Sequence, residues 1–157
     1  WNTLVSEVEK CGGRIAGLGA RDTLRTEMCY PLHGHELSLT ISPLEAGATW
    51  AVGWKKESFW GSRVLRAQKE SGNHRRLIAF TMRDRGIPRA EMKVVDVNGA
   101  EIGVVTSGTF SPTLKNGIGL ALVSKSISVG EEICIDIRGK MCSAEIRLAP
   151  LVPSHVR

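Results

Sequence analysis

No stretch of the chain approaches the ~20 consecutive apolar residues that a membrane-spanning helix requires. The N-terminus, Trp1-Asn2-Thr3-Leu4, has no basic region ahead of an apolar core and so does not read as a secretory leader. Trp rather than Met at position 1 implies that the numbering starts inside a longer gene product. Cysteine is scarce, with 4 among 157 residues, and forms no Cys-x-x-Cys. That excludes a disulfide scaffold and a thiolate metal site, and makes free thiols the expectation. Aromatic residues make up 5% of the chain, and the second half holds only Phe80 and Phe110. Low-complexity segments and internal repeats are absent. So are a Walker motif, a Gly-x-Ser-x-Gly elbow and any catalytic triad that can be assembled.

The composition is otherwise that of a folded chain: 42% hydrophobic, 24% charged, mean hydropathy −0.06. It excludes a disordered tail and a coiled coil. Net charge is +5. Up to Asn73 there are 9 basic and 8 acidic residues, and from His74 onward 12 and 8. The basic excess therefore falls where stacking aromatics are fewest. It reads as a solvated face, and no nucleic-acid or membrane partner is expected.

The two halves differ in kind. Helical spacing marks Thr3 to Lys10, stopped by Gly12-Gly13; Arg21 to Met28; and Ser58 to Glu70. Ser42-Pro43-Leu44-Glu45 has the form of a helix start, with Ser as cap, Pro in the first position and Glu closing a capping box. Ser38 to Ile41 and Trp50 to Trp54 read as short strands. Ser71-Gly72-Asn73 breaks the pattern and divides the chain into 1–73 and 74–157.

Beyond that boundary the period is two. Strands are expected at Leu77 to Met82, Met92 to Val97, Glu101 to Thr106, Ile118 to Val123, Glu131 to Arg138 and Cys142 to Leu148. Turn residues between them suggest a small barrel or sandwich. Val97-Asn98-Gly99-Ala100 supplies one hairpin turn. A two-residue turn at Gly139-Lys140 would pair Ile137 with Cys142 and Ile135 with Ala144, and would set Cys134 opposite Glu145 on the outer face. Cys134 and Cys142 then lie on opposite faces and cannot be bridged.

Three constellations carry polar chemistry. His33 and His35 would share a strand face, yet no third metal ligand accompanies them, so they read as surface histidines. Arg21 and Arg25 share a helical face, and Arg25 also reaches Asp22. This is either an intrahelical ion pair on a solvated helix or a guanidinium held for a planar anionic or carbonyl-bearing ligand. Thr106-Ser107-Gly108-Thr109-Phe110-Ser111-Pro112-Thr113 reads as a structured turn whose hydroxyls satisfy backbone groups.

Gly17-Leu-Gly-Ala-Arg-Asp-Thr-Leu-Arg-x-Glu27, Leu32-x-Gly-x-Glu-Leu37, Ile41-Ser-Pro-Leu-Glu-Ala-Gly47, Thr106-Ser-Gly-Thr-Phe-Ser-Pro-Thr-Leu114 and Ile137-Arg-Gly-Lys140 resemble, in order and over nearly the whole chain, the glycine cleavage system T-proteins, the aminomethyltransferases. The resemblance implies an α+β chain: the end of an α/β folate-binding region followed by a small all-β barrel. It implies a transferase that takes the aminomethyl group from the lipoyl arm of H-protein, releases ammonia and passes the one-carbon unit to tetrahydrofolate. The family's catalytic Asp lies in an N-terminal portion not represented here, so no catalytic residue is assigned and this chain alone is expected to be inactive. By position, Arg21 matches a folate-contacting Arg and Trp50 an aromatic of the cavity wall, while Arg89 matches a structural position bracing the barrel against its neighbour.

Departures from the family pattern are Thr26-Glu27-Met28-Cys29 in place of Leu-Glu-Ala-Gly, His33 where Tyr is common, and Val156 where some members carry a Tyr for the folate tail. The resemblance implies a cytoplasmic or mitochondrial-matrix location. The C-terminal regions of sarcosine and dimethylglycine dehydrogenases share the Arg-containing helix but fit Thr106–Leu114 less well. They supply the alternative reading, a non-catalytic folate-binding or interaction module. Loss of the packing partner is expected to leave apolar surface exposed in the first half.

Overall fold

The computed structural model describes residues 1–124 and 127–154. Val156, set against the folate tail above, lies outside the described residues. The elements run α1 (Asn2–Lys10), α2 (Leu18–Glu27), a 3-10 turn (Thr49–Ala51), α3 (Ser62–Ser71), then β1 (Arg76–Met82), β2 (Lys93–Val95), β3 (Glu101–Ser111), β4 (Asn116–Val123), β5 (Glu132–Ile137) and β6 (Lys140–Arg147). The six strands close into an antiparallel barrel in the order β1-β4-β3-β2-β5-β6, with β6 returning to β1. Closure leaves no free sheet edge.

Alternation builds the interior. Phe80 and Met82 from β1, Val94 from β2, Val105 from β3, Ala121 and Val123 from β4, and Ile133, Ile135, Cys142, Ala144 and Ile146 from β5 and β6 form one core. β4 is buried on both faces: Ile118, Leu120 and Leu122 alternate with the core residues and are at most 3% exposed. Its outward side lies beneath the first half of the chain, where α2 packs on β3 and β4.

The β5–β6 hairpin forms, two residues out of the expected register. Ile135 pairs with Cys142, Ile133 with Ala144, and Cys134 faces Ser143 rather than Glu145. The turn residues are Arg138 and Gly139, both at positive φ (56° and 84°), and Asp136 Oδ1 accepts the Gly139 N–H at 2.7 Å. These are the features of a type I′ turn. A slip of two preserves which face each residue takes, so Cys142 is buried while Cys134 lies on the other face, as expected. The β2–β3 connection also differs: Gly99 is at positive φ but Asn98 is not, and Asp96 Oδ1 accepts the N–H groups of Asn98 and Ala100. β2 accordingly stops at Val95.

Four expectations in the first half need correction. Ser38 to Ile41 is a tight turn closed by a single bridge, since Ser38 Oγ accepts the Thr40 N–H and turns the chain. Trp50 to Trp54 is not a strand; the backbone coils at Thr49–Ala51 and Trp54 Nε1 donates back to Thr49 O at 2.9 Å. The Ser42–Glu45 capping box forms reciprocally, at 2.8 and 3.3 Å, but it closes a single turn and no helix follows. Gly47, at φ 70°, ends the turn, with Ala48 N–H bonded to Pro43 O and Gly47 N–H to Leu44 O. α3 begins at Ser62 instead of Ser58, because Gly61 in the left-handed region sets its start.

The capping-box turn is pinned to the barrel. Glu45 accepts from Arg75 Nε at 2.8 Å, and its backbone oxygen takes the Leu77 N–H at 3.0 Å. α1 and α3, by contrast, contain no buried residue. Leu4, Leu18, Leu24, Trp60 and Val64 are all more than 60% exposed, in keeping with the apolar surface expected on this half.

Candidate binding site

α2 starts after Gly17 and closes with a Schellman motif: Tyr30 N–H bonds to Arg25 O at 2.8 Å and Cys29 N–H to Thr26 O at 3.0 Å. Cys29 takes the left-handed position, φ 58°. This helix holds both arginines singled out above, and the structure gives them opposite environments.

Arg25 is 8% exposed and its guanidinium is fully engaged. Nε donates to Asp22 Oδ1 at 2.7 Å, Nη1 to Glu36 Oε2 at 2.9 Å and to the Tyr30 carbonyl at 3.4 Å, and Nη2 to Ser107 Oγ at 2.8 Å. It is a structural ion-pair centre: the expected pair with Asp22 forms, but on a buried face with partners beyond the helix and not on a solvated helix. Arg21, one turn earlier, is exposed and has no hydrogen bond or ion pair among the described residues. It lines a hollow of about 390 Å³ whose other walls include Leu24, Met28 and Tyr30. Because Asp22 and Glu36 compensate Arg25, Arg21 is the guanidinium left uncompensated at this hollow.

A second hollow, of about 500 Å³, shares Met28 and Tyr30 with the first. Trp50, 87% exposed, flanks it, and its floor includes Leu120 of β4 and Ala79 of β1. Arg21 and Trp50 thus lie on neighbouring hollows that share the Met28–Tyr30 wall. Walls of this kind suit a ligand with flat rings and one anionic or carbonyl-bearing edge. Tyr30 was not singled out by sequence reasoning. Its position just after the helix stop is the signal that places it at a bend between two surfaces.

Residues distant in sequence anchor α2 to the barrel. Glu36, fully buried, accepts from Arg25, from the Leu32 N–H at 3.0 Å and from Ser107 Oγ at 2.5 Å. Glu27, 3% exposed, accepts from Ser111 Oγ and from Thr113 Oγ1 at 3.2 Å. The hydroxyl-rich segment is therefore not a turn following a strand. β3 runs on to Ser111, and its hydroxyls serve two buried carboxylates more than the local backbone. Thr113, just past the strand, does the same for Glu27.

His35 Nδ1 lies 2.7 Å from the Thr106 carbonyl. That oxygen can only accept, so Nδ1 carries the proton. His33 stays exposed, and no group of three or more possible metal-ligating side chains occurs among the described residues. Arg89 Nη1 donates to the Gly108 carbonyl at 3.1 Å, a contact within the barrel.

The fold is a closed six-stranded barrel with a helical region packed on its flank, and that region carries an unpaired guanidinium on one of two adjoining hollows. Residues 75–153 match the model of the glycine cleavage T-protein C-terminal barrel domain, and residues 1–56 that of the N-terminal domain of the same proteins. The chain is 51% identical over 157 residues to an aminomethyltransferase of Parafrankia sp. and 50% identical over 159 residues to one of Mycolicibacterium paratuberculosis, spanning all of this chain and 43% of each relative. The crystal structure of the glycine cleavage system aminomethyltransferase T from Bartonella henselae superimposes with a TM-score of 0.85 at 30% identity, over 92% of this chain and 41% of that one. The chain belongs to the glycine cleavage T-protein family.

Proposed function

We propose that this chain is the part of a tetrahydrofolate-dependent aminomethyltransferase that walls the folate cavity, with Arg21 and Trp50 facing the ligand. The observation that carries the reading is the unpaired Arg21 guanidinium on an apolar hollow adjoining the hollow of Trp50. When bound, tetrahydrofolate supplies the acceptor for the one-carbon unit. The residues of this chain bind and orient it: Arg21 directs a guanidinium fork at a carbonyl or carboxylate, and Trp50 offers an indole face to a ring. The aminomethyl donor is the lipoyl arm of H-protein, and ammonia is the leaving group.

The general acid or base is assigned to no residue here. It belongs to the larger part of the relatives that this chain does not span, which leaves the chain by itself inactive. Residues 1–73 form the folate-facing unit and 74–157 the barrel, a division supported by the gap between the two matched segments. The relatives named above are bacterial, which favours the cytoplasm over a mitochondrial matrix.

Isothermal titration of the full natural chain with tetrahydrofolate tests the reading. Loss of a charge-assisted hydrogen bond predicts about tenfold or more weaker binding for Arg21→Ala. Unchanged affinity refutes the role of that side chain.

A further inference from the structure

Arg25 ties together four pieces of chain: Asp22 on its own helix, the Tyr30 carbonyl just after it, Glu36 in the following loop and Ser107 on β3. Arg21 lies one turn before Arg25, and Tyr30, which lines both hollows, five residues after it. The guanidinium therefore holds the backbone that presents both groups, and Glu36 and Ser107 hold the guanidinium. Ser107 Oγ sits between the two charges, accepting from Arg25 at 2.8 Å and donating to Glu36 at 2.5 Å, with 2% of the residue exposed. Glu36 has a second effect. Without its charge, Arg25 would be only partly compensated by Asp22 and would compete with Arg21 for an anionic group in the shared hollow.

We propose that Glu36 and Ser107 are positioning residues for the ligand site: acting through Arg25, they fix α2 against the barrel so that Arg21 is the guanidinium presented to the ligand. This rests on the reading of Arg21 as ligand-facing given above. It makes the barrel part of the binding site even where no barrel side chain touches the ligand.

The test is a double-mutant cycle in the full natural chain, with tetrahydrofolate as titrant and calorimetry as readout. Ser107→Ala keeps every charge and removes the bridging hydroxyl, while Glu36→Gln keeps the shape and removes the charge. Each is expected to weaken binding on the order of tenfold, within the coupling carried by a single hydrogen-bond network. Added to Arg21→Ala, Ser107→Ala should cost almost nothing further, because the group it positions is gone. Additive losses, or a lowered melting temperature with unchanged affinity, would overturn the positioning role and leave a purely structural one. Should Glu36→Gln fail to fold, the Ser107 arm decides alone. Loss of the underlying reading is separately visible, since Arg21→Ala would then have no effect by itself.

Discussion

Glu27 gives the sharpest test of how the helical region is fastened to the barrel. It ends α2, is 3% exposed, and accepts hydrogen bonds from Ser111 Oγ and Thr113 Oγ1, with no ion-pair partner among the described residues. Hydrogen bonds to a charged group contribute about 1.5–3 kcal/mol each and do not add fully. Glu27→Ala removes both acceptor oxygens and leaves the Ser111 hydroxyl, on a fully buried residue, without its partner. A loss of about 3 kcal/mol is expected, which for a chain of this size lowers the melting temperature by roughly 6–12 °C.

Glu27→Gln retains one accepting oxygen and removes a negative charge from the unfavourable end of the helix dipole. Its cost should stay within about 1 kcal/mol. Thermal unfolding followed by circular dichroism gives both numbers, and amide exchange should show α2 losing protection before the barrel strands. If the alanine variant is no less stable than the glutamine variant, the carboxylate is not the fastening and the reasoning fails.

Gly108→Ala would place a Cβ 2.4 Å from Pro88 O and 2.6 Å from Pro88 C, both backbone atoms, so a loss of roughly 2 kcal/mol or more is expected in urea unfolding. For Glu45, burial alone would raise the carboxyl, but the Arg75 guanidinium and the Ser42 N–H outweigh it and hold the group below its ordinary value of 4.5. A depressed carboxylate contributes stability that is complete above the unfolded value and disappears as pH falls through the folded one. The melting-temperature gap between the parent chain and Glu45→Gln should therefore close on acidification below about pH 4.5. Burial, with the Glu36 charge adding to it, pushes the Cys29 thiol up to about 11. At pH 8 iodoacetamide should label exposed Cys11 well before Cys29, as read by peptide mass mapping.

Much of the barrel was legible because alternation is a local signal: each strand's inward face is written at a spacing of two. The β5–β6 register could slip by two without moving any residue to the wrong face, so sequence reasoning sorted Cys134 from Cys142 while misplacing the turn. Register depends on the turn's dihedral angles, and a left-handed Arg138 is not visible in composition. In the first half the helices were legible, whereas the two short strands were not. Ser38–Ile41 and Trp50–Trp54 are shaped by side-chain-to-backbone bonds that override propensity over four or five residues.

The order of residues alone determined the division into a helical first part and a β second part, the core face of the β5–β6 hairpin, the free thiols and the family. Only the tertiary structure separated the two arginines of α2, burying Arg25 in a network and leaving Arg21 open to a hollow. It also turned a row of hydroxyls into partners for Glu27 and Glu36. Both outcomes depend on contacts across about eighty residues of chain. Pairing a buried charge is a property of what folding brings next to it, and no local period in the sequence encodes that.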